Sequence, residues 1–568
     1  MFSLTMIRKQ DMRNLQRATR FFFFGALVTL TACGPAELET RDQAVERLNE
    51  LVSDTVAPGR RENQFRANIE LTKTNLLSLL PDIEEYPIVL PAQDSARVEA
   101  VEIFTSSEKA GQQRDGLYLE MAELFNRQQI KLKNGKVAQI AIRKIASGVG
   151  AQFILAQQNT PDAFSPSNHL WGDMLLAQGI RLETIADVTA PNTAGVIVKS
   201  SKRDQITTDG RIDVQKLLTA VTGGAFAMGY TNPYQSSTGL NFLLTVLDAF
   251  AEGDEQQFLA PDVSSAFEAF QSGVPFVAQT TLQMRDAAVG SGVLDALVME
   301  HQSWVNVTGM GDYEFVPFGV RHDSPLYATP EADKHEREAL KLFARFLDQN
   351  SDRTRAYGFG QQADYRSAYT IENGAVILGA QKLWKEKKSG GKPIAAMFVA
   401  DVSGSMDGTR IKNLRRALIE SSDLISTGNA IGLVSYNESV NVDLYIRPFN
   451  LQQKALFMGA VQRLSAGGGT ATNNAVLTAA SELLQFAKTH PDHKLIIFVL
   501  SDGETNKGIA YESVTKVLEL IGIPIHAIAY ELSSDHLKSM ARLAEGAYIE
   551  SSDDSSSYRI GNLLNAEM

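Results

Sequence analysis

The sequence contains a single cysteine, so a disulfide bond within the chain is excluded, as are metal or redox sites built from several cysteines. It has no block of basic residues: 54 Lys and Arg stand against 66 Asp and Glu, and the net charge of −12 argues against nucleic acid as the main partner. It also lacks a His-Glu-x-x-His motif, a Gly-x-Ser-x-Gly nucleophile elbow and a phosphate-binding P-loop. We therefore expect a protein that is not an enzyme. A hydrolase built on Asp or Glu pairs is the one catalytic class that these absences leave open.

Long apolar runs are also missing, and the most apolar stretch is residues 21–30 near the N-terminus. It covers about ten residues, too few to cross a bilayer, which needs roughly twenty. Arg13, Arg17 and Arg20 precede it, as basic residues precede the apolar core of a secretory signal. Residues 30–34, which read Leu-Thr-Ala-Cys-Gly, follow it and resemble the lipobox of bacterial lipoproteins.

The lipobox resemblance implies that residues 1–32 are a signal peptide and that Cys33 becomes the lipidated first residue of the mature chain. Two or more acyl chains anchor a protein stably to a membrane. We therefore expect a lipoprotein of the cell envelope, anchored through Cys33 on the non-cytoplasmic side of a bacterial membrane. The alternative is a cysteine that follows an uncleaved anchor by chance.

The chain has 568 residues, which corresponds to three or four domains at about 150 residues each. Composition and periodicity indicate where the boundaries between them lie. Residues 33–95 are charged and have leucines at helical spacing, which favours a helical stalk or a packing extension. Residues 96–360 and 393–550 both alternate strands with helices, the pattern of parallel α/β domains. The basic, Gly-rich end of residues 361–392 favours a linker, and residues 551–568 are interpreted as a C-terminal tail.

Polar residues follow three apolar or glycine-rich segments of the C-terminal α/β region. Asp401, Ser403 and Ser405 come directly after one apolar strand run, Thr470 ends a Gly-rich loop, and Asp502 follows a second apolar run. Ligands of an open parallel sheet bind outside the carboxyl ends of its strands, so we expect these five side chains to converge. Hydroxyl and carboxylate oxygens suit a hard cation such as Mg²⁺.

This pattern resembles the von Willebrand factor A (VWA) domain and its metal-ion-dependent adhesion site (MIDAS), over residues 393–550. The family's Asp-x-Ser-x-Ser motif, loop Thr and later Asp are matched by Asp401, Ser403, Ser405, Thr470 and Asp502. The resemblance implies a doubly wound, Rossmann-like fold that binds Mg²⁺, or Mn²⁺ or Ca²⁺ in its place. It also implies a partner protein that supplies an acidic residue to the ion. Polar capping of helix N-termini is the alternative for these residues.

Residues 96–360 resemble the two-lobed, type II class of extracellular (periplasmic) solute-binding proteins. The resemblance rests on Ile103–Lys109, Ile145–Gly148, Tyr230–Pro233 and Ser236–Gly239. It implies two lobes that close on a small solute. The candidate ligand-binding residues are Ser106, Ser107, Ser147, Ser236, Ser237, Thr238 and Glu300. Several stand at predicted helix starts, where free N–H groups favour anions, and ordinary N-capping explains any single serine equally well.

Taken together, these features predict an envelope lipoprotein that binds a protein partner through a divalent cation in its VWA domain. The central domain would recognise a small solute or serve as a second interaction surface. The alternative is a substrate-binding accessory of an ABC-type transport system.

Overall fold

The computed structural model describes residues 38–69, 76–274, 276–278, 284, 294–503, 505–530, 533–543, 546–551 and 555–568. The predicted signal peptide and Cys33 lie outside these residues. Within the described ranges, no helix combines the length and the apolar character needed to cross a membrane.

The N-terminal segment packs on the C-terminal domain. Helix α1 (Arg41–Glu50) starts at a capping box formed by Thr40 and Gln43, and a π-helical turn at Leu51–Val56 continues it. Its apolar residues are buried in a core shared with that domain, and the two-residue strand β1 (Gly59–Arg60) joins the edge of the domain's sheet. Within the predicted 33–95 extension, residues 41–60 therefore pack on the C-terminal domain, whereas residues 88–90 join a sheet of the central region.

The central region forms two α/β lobes. The first contains β2 (Ile88–Leu90), β3 (Val98–Thr105), α2 (Ser107–Ala110), α3 (Leu117–Arg127), β4 (Val137–Lys144), α4 (Ser147–Ala156), β5 (Ala163–Ser165), α5 (Leu170–Ala177) and β6 (Glu183–Ala186). The second contains β7 (Thr193–Lys199), β8 (Thr207–Thr208), β9 (Arg211–Ile212), α6 (Val214–Thr222), β10 (Met228–Thr231), α7 (Ser237–Phe250), α8 (Pro261–Ser272), β11 (Phe276–Ala278), β12 (Ala296–Glu300), α9 (His301–Val305) and β13 (Tyr313–Arg321). The chain then adds β14 (Leu326–Ala328), α10 (Lys334–Gln349), α11 (Ser351–Thr354) and α12 (Ala375–Lys387).

Each lobe has its own sheet. The first sheet has the order β2-β4-β3-β5-β14-β6, and the second has the order β11-β10-β12-β7-β13. The chain crosses to the second lobe after β6, returns with β14, and contacts the second lobe again before α12, where the Ala368 backbone N–H donates to Gly319 O of β13. The mixed α/β, two-lobed architecture predicted for this region is confirmed.

Residues 361–392 are not a simple linker, because they contain α12. Ile377, Ala380 and Trp384 lie on one buried face of this helix, at the i, i+3, i+7 spacing of an amphipathic helix. That face packs against α5 of the first lobe and against α7 and α8 of the second. The Trp384 indole donates to the Tyr230 hydroxyl at 2.6 Å. The basic, Gly-rich residues 385–392 predicted a linker, but the first three of them lie within α12, which is held by tertiary packing.

The C-terminal domain is a doubly wound α/β sheet. Its elements are β15 (Ile394–Asp401), α13 (Thr409–Ser421), β16 (Ala430–Tyr436), β17 (Val440–Pro448), α14 (Leu451–Gln462), α15 (Thr472–Ala487), β18 (Lys494–Ser501), α16 (Tyr511–Ile521), β19 (Ile525–Tyr530), α17 (Asp535–Leu543), β20 (Tyr548–Ser551) and α18 (Ser556–Glu567). The strand order is β1-β17-β16-β15-β18-β19-β20, with β15 parallel to both of its neighbours. Successive residues of β15 point to opposite faces of the sheet. Met397 is buried in the core on one face, and Phe398 is buried in the core on the other.

The predicted C-terminal tail is the buried helix α18. Ile560, Leu563 and Leu564 are buried in one core of the domain. Their spacing is helical, but the segment is too short for this periodicity to stand out in the sequence. The Tyr558 hydroxyl donates to Gln152 Oε1 of α4 at 2.6 Å, in buried surroundings. Helix α18 therefore connects the C-terminal domain to the first lobe of the central region.

Candidate functional site

Four of the five predicted metal-site residues lie at the carboxyl ends of β15 and β18, and Thr470 lies in the Gly-rich loop between α14 and α15. Asp401, the last residue of β15, is fully buried. Its Oδ1 accepts from the Ser403 backbone N–H at 2.8 Å, and its Oδ2 accepts from the Ser501 hydroxyl at 2.5 Å and the Tyr436 hydroxyl at 3.3 Å. Burial raises the pKa of Asp401, and the negative charge of Asp502 raises it further. The strand ends therefore bring both carboxylates to one edge of the sheet.

The two serine hydroxyls contact each other, and one of them contacts the Asp502 carboxylate. Ser403 Oγ and Ser405 Oγ are 3.0 Å apart, and Ser405 Oγ donates to Asp502 Oδ1 at 2.9 Å. Ser403 is buried, whereas Ser405 is exposed. The cluster therefore opens to solvent on the side of Ser405.

The Gly-rich loop before Thr470 packs on the serine loop. The backbone N–H of Gly404 donates to Gly468 O at 3.0 Å, and that of Gly467 donates to Val402 O at 2.8 Å. Gly468 has a φ of +87°, and a Cβ there would lie 3.1 Å from Asn437 Nδ2, so glycine suits this close approach. Thr470 itself is buried. These contacts place the loop that carries Thr470 against the loop that carries both serines.

A cationic side chain that the sequence analysis did not single out also reaches this cluster. Arg410 Nη1 donates to Asp502 Oδ2 at 2.9 Å and to the Ser405 carbonyl at 3.0 Å. Arg410 lies in the first turn of α13, the helix that follows β15. The first turn of a helix that follows a strand lies at the same edge of the sheet as the carboxyl end of that strand. The position of Arg410 shortly after β15 could therefore have predicted that it reaches this site.

The donor set is compatible with a divalent cation. It offers two carboxylates and three hydroxyls, the oxygen ligands that Mg²⁺, Mn²⁺ and Ca²⁺ prefer. Across the described part of the chain, no group of three or more His, Cys, Asp and Glu side chains has the arrangement of a metal site. A cation at the carboxyl edge would therefore depend on the hydroxyls of Ser403, Ser405 and Thr470 as well as on Asp401 and Asp502.

A second polar cluster lies between the lobes of the central region. In the first lobe, Ser167 connects two of the predicted ligand residues: its Oγ is 3.3 Å from Ser106 Oγ, and its backbone N–H donates to Ser147 Oγ at 3.3 Å. The Glu108 carboxylate accepts from the hydroxyls of both Ser106 and Ser167. Burial raises the pKa of Glu108, and so does the negative charge of Glu300. Ser107, the first residue of α2, is half-buried.

The second-lobe candidates occupy the start of α7. Ser236 is the N-cap and accepts from the Gly239 backbone N–H at 3.3 Å, so it fills the capping role. Ser237 Oγ accepts from the Trp171 indole of the first lobe at 2.9 Å. Thr238 is 1% exposed, and its hydroxyl has no hydrogen-bond partner among the described residues. Asn168 Nδ2 donates to the Ser237 carbonyl at 3.1 Å, which joins the two halves of the cluster.

Glu300 lies in the same cluster, in a buried hydrogen-bonded pair with His322. Its Oε1 is 2.7 Å from His322 Nδ1, and its Oε2 accepts from Asn192 Nδ2 at 3.0 Å. His322 Nε2 is 3.1 Å from Asn241 Nδ2. Because Asn241 Oδ1 accepts from the Tyr369 hydroxyl at 2.9 Å, its Nδ2 faces the imidazole as a donor. His322 Nε2 is therefore an acceptor, and its Nδ1 donates to Glu300.

Hydrogen bonds of Ser167, Asn168 and His322 thus join residues of both lobes, and they include residues that the sequence did not single out. These additional residues are Glu108, Ser167, Asn168, Asn192, Asn241 and His322. A ligand role for any of the candidates stays a prediction.

Residues 397–562 match the family model of the von Willebrand factor type A domain, so the C-terminal region is a VWA domain. An uncharacterized protein from Synechocystis sp. is 26% identical over 164 residues, which are 28% of this chain and 38% of that relative. The chain therefore spans well under half the length of this relative.

Solved structures of solute-binding proteins are similar in fold to the N-terminal part of the chain. A periplasmic thiamin-binding protein matches with a TM-score of 0.38 and 11% identity, over 53% of this chain and 99% of that one. The sulfate-binding protein SubI from Mycobacterium tuberculosis H37Rv matches with a TM-score of 0.33 and 14% identity, over 49% of this chain and 90% of that one.

Proposed function

We propose that the VWA domain binds a protein partner through a divalent cation at its MIDAS residues. The observation that carries this proposal is the contact chain from Ser403 through Ser405 to Asp502, above the buried Asp401. The cluster is assembled by the ends of adjacent parallel strands and opens to solvent at Ser405. A partner can therefore approach it without rearrangement of the sheet.

Each residue has a separate task in this proposal. Ser403 and Ser405 offer hydroxyl oxygens to the ion, and Thr470 offers a third from the adjacent loop. Asp401 and Asp502 supply negative charge, and Asp401 also fixes the serine loop by accepting from the Ser403 N–H. The bound ion would supply a positive centre that attracts a carboxylate of the partner.

We further propose that the chain is anchored through Cys33, with the MIDAS directed away from the anchor. Arg41 Nε donates to the carbonyl of Ile521 at 3.4 Å, and Ile521 ends the helix that leads into the start of β19. Arg41 therefore lies near the amino ends of the parallel strands, whereas the MIDAS lies at their carboxyl ends. From Cys33 to Arg41 the chain extends at most about 28 Å. This polarity supports a role in which the lipid holds one end of the domain and a partner engages the other.

The proposal is tested by capture of envelope proteins on the immobilised full-length chain, in Mg²⁺ and after chelation. Partner binding should require the ion and should be lost in Asp401→Asn. The matched control is Asp407→Asn, which removes an exposed carboxylate from the same loop. Binding that survives both chelation and Asp401→Asn would contradict the proposal.

A second candidate function is solute recognition by the central domain, either for an ABC-type transport system or as a sensor. The observation that favours it is the buried hydroxyl of Thr238, which has no hydrogen-bond partner among the described residues and could therefore bind a solute. Thr238 is next to Ser237, whose carbonyl accepts from Asn168 of the first lobe. A panel of oxyanions, sugars and amino acids should contain a solute that raises the melting temperature of the wild-type chain but not of Thr238→Val. No shift with any member of the panel would count against this function.

A further inference from the structure

Arg410 contributes a fixed positive charge to a site whose other functional groups are oxygens. Its side chain is 27% exposed, whereas that of Asp502, with which it pairs, is 1% exposed. The same Nη1 also reaches the Ser405 carbonyl, so the guanidinium contacts both the serine loop and the carboxylate across from it. Charge-assisted hydrogen bonds to a buried carboxylate are stronger than neutral ones. Arg410 is therefore a built-in part of the cluster.

This arrangement changes the charge balance of the site. Asp401 and Asp502 are the two carboxylates among the predicted metal ligands, and Arg410, which is not deprotonated in proteins, offsets one of them. The affinity of an oxygen site for a divalent cation depends on how many charged ligands it has. Two cations close together in partly buried surroundings also repel each other. Both effects oppose the binding of a divalent ion.

Asp502 is also engaged through both of its oxygens. Oδ1 accepts from Ser405 and Oδ2 accepts from Arg410. An ion that uses Asp502, directly or through water, has to share this carboxylate with the guanidinium. The ion and the arginine therefore compete for the same negative charge.

We propose that Arg410 is an intramolecular competitor that lowers the affinity of the MIDAS for its divalent cation. The ion is then exchangeable rather than permanently bound, and occupancy of the site follows the cation concentration around the protein. This inference rests on the proposed function, because it requires that the ion binds at these residues.

The test is a titration of the full-length chain with Mn²⁺, whose free form has an electron paramagnetic resonance signal that the bound form loses. Wild type is compared with Arg410→Gln, which keeps a polar side chain and removes the charge. Lys412→Gln is the matched control, since Lys412 is an exposed cation two residues further along α13 and does not share the face of Arg410. Arg410→Lys keeps the charge without the planar guanidinium.

We expect Arg410→Gln to bind Mn²⁺ about tenfold more tightly than wild type, and Lys412→Gln to differ by less than about twofold. Arg410→Lys should fall between wild type and Arg410→Gln. Equal or weaker Mn²⁺ binding by Arg410→Gln would overturn the inference while leaving the proposed function intact, because wild type would still bind the ion. If neither wild type nor Arg410→Gln bound Mn²⁺ at about 1 mM, the proposed function would fail together with the inference.

Discussion

The polar cluster of the VWA domain and the polar cluster between the lobes differ in how far their side chains are exposed to solvent. In the VWA site, Ser405 is exposed and the serine hydroxyls contact each other at a solvent-facing edge. Between the lobes, Glu300 is 3% exposed and is enclosed by His322 and Asn192. The first cluster can take an external ligand as it stands. Because Glu300 is buried, a solute could contact it only if the two lobes moved apart.

The largest expected effect is the loss of the ion in Asp401→Asn. The substitution removes one of the two carboxylate charges but preserves the shape of a side chain that accepts three hydrogen bonds. We expect Mn²⁺ affinity to fall by more than about 100-fold, because charged oxygen ligands dominate binding of hard cations. Asp407→Asn should leave the affinity unchanged. Mn²⁺ titration measures both affinities. A similar affinity for the two variants would show that Asp401 does not determine ion binding at the VWA site.

The interlobe cluster should respond in stability rather than in ion binding. Replacing Glu300 with Gln removes the charge from the buried hydrogen bond with His322, which costs about 2 kcal/mol of the free energy of unfolding. Glu314→Gln is the control, because its pair with Arg203 is 47% exposed on the carboxylate side and should contribute less than about 1 kcal/mol. Urea unfolding measures both. Equal losses would show that burial does not set the strength of these pairs.

Much of the VWA site could be predicted from the sequence, because its residues are placed by local rules. Asp401 and Asp502 each follow an apolar run, and in a parallel sheet such runs end at one edge. The helix α12 and the His322–Glu300 pair could not be predicted in this way. Residues 300 and 322 meet because of the antiparallel pairing of β7 with β12 and β13, and that register is not visible in the composition of either segment.

The pH dependence of stability should differ between the wild type and Asp443→Asn. Burial raises the pKa of Asp443 in β17 to about 6, although its carboxylate accepts from the Ser435 backbone N–H at 2.9 Å. Since the folded state holds this proton more tightly than the unfolded state, wild-type stability is lost as pH rises from about 4 to about 6.

Asparagine has no charge to bury, so Asp443→Asn should match wild type near pH 4 and exceed it by about 1–2 kcal/mol at pH 7. Urea unfolding of both proteins at the two pH values measures the difference. Asp162→Asn in the first lobe should behave similarly, because burial also raises the pKa of Asp162 to about 6. A difference that does not change with pH would contradict the assignment.

The smallest expected effect concerns the contact between the two regions. Tyr558→Phe removes the hydroxyl that donates to Gln152 and leaves a buried acceptor unpaired, which costs about 1 kcal/mol. Urea unfolding should detect this loss, and Mn²⁺ affinity should not change. A change in ion affinity would instead mean that α18 transmits structural changes to the MIDAS.

Native mass spectrometry of the full-length chain in detergent, with added Mg²⁺ or Mn²⁺ and again after chelation, would show whether the MIDAS residues bind a divalent ion. We expect one divalent ion per wild-type chain in added Mg²⁺ or Mn²⁺, its removal by the chelator, and no ion on Asp401→Asn. A wild-type chain that carries no divalent ion in the presence of added Mg²⁺ and Mn²⁺ would contradict this expectation.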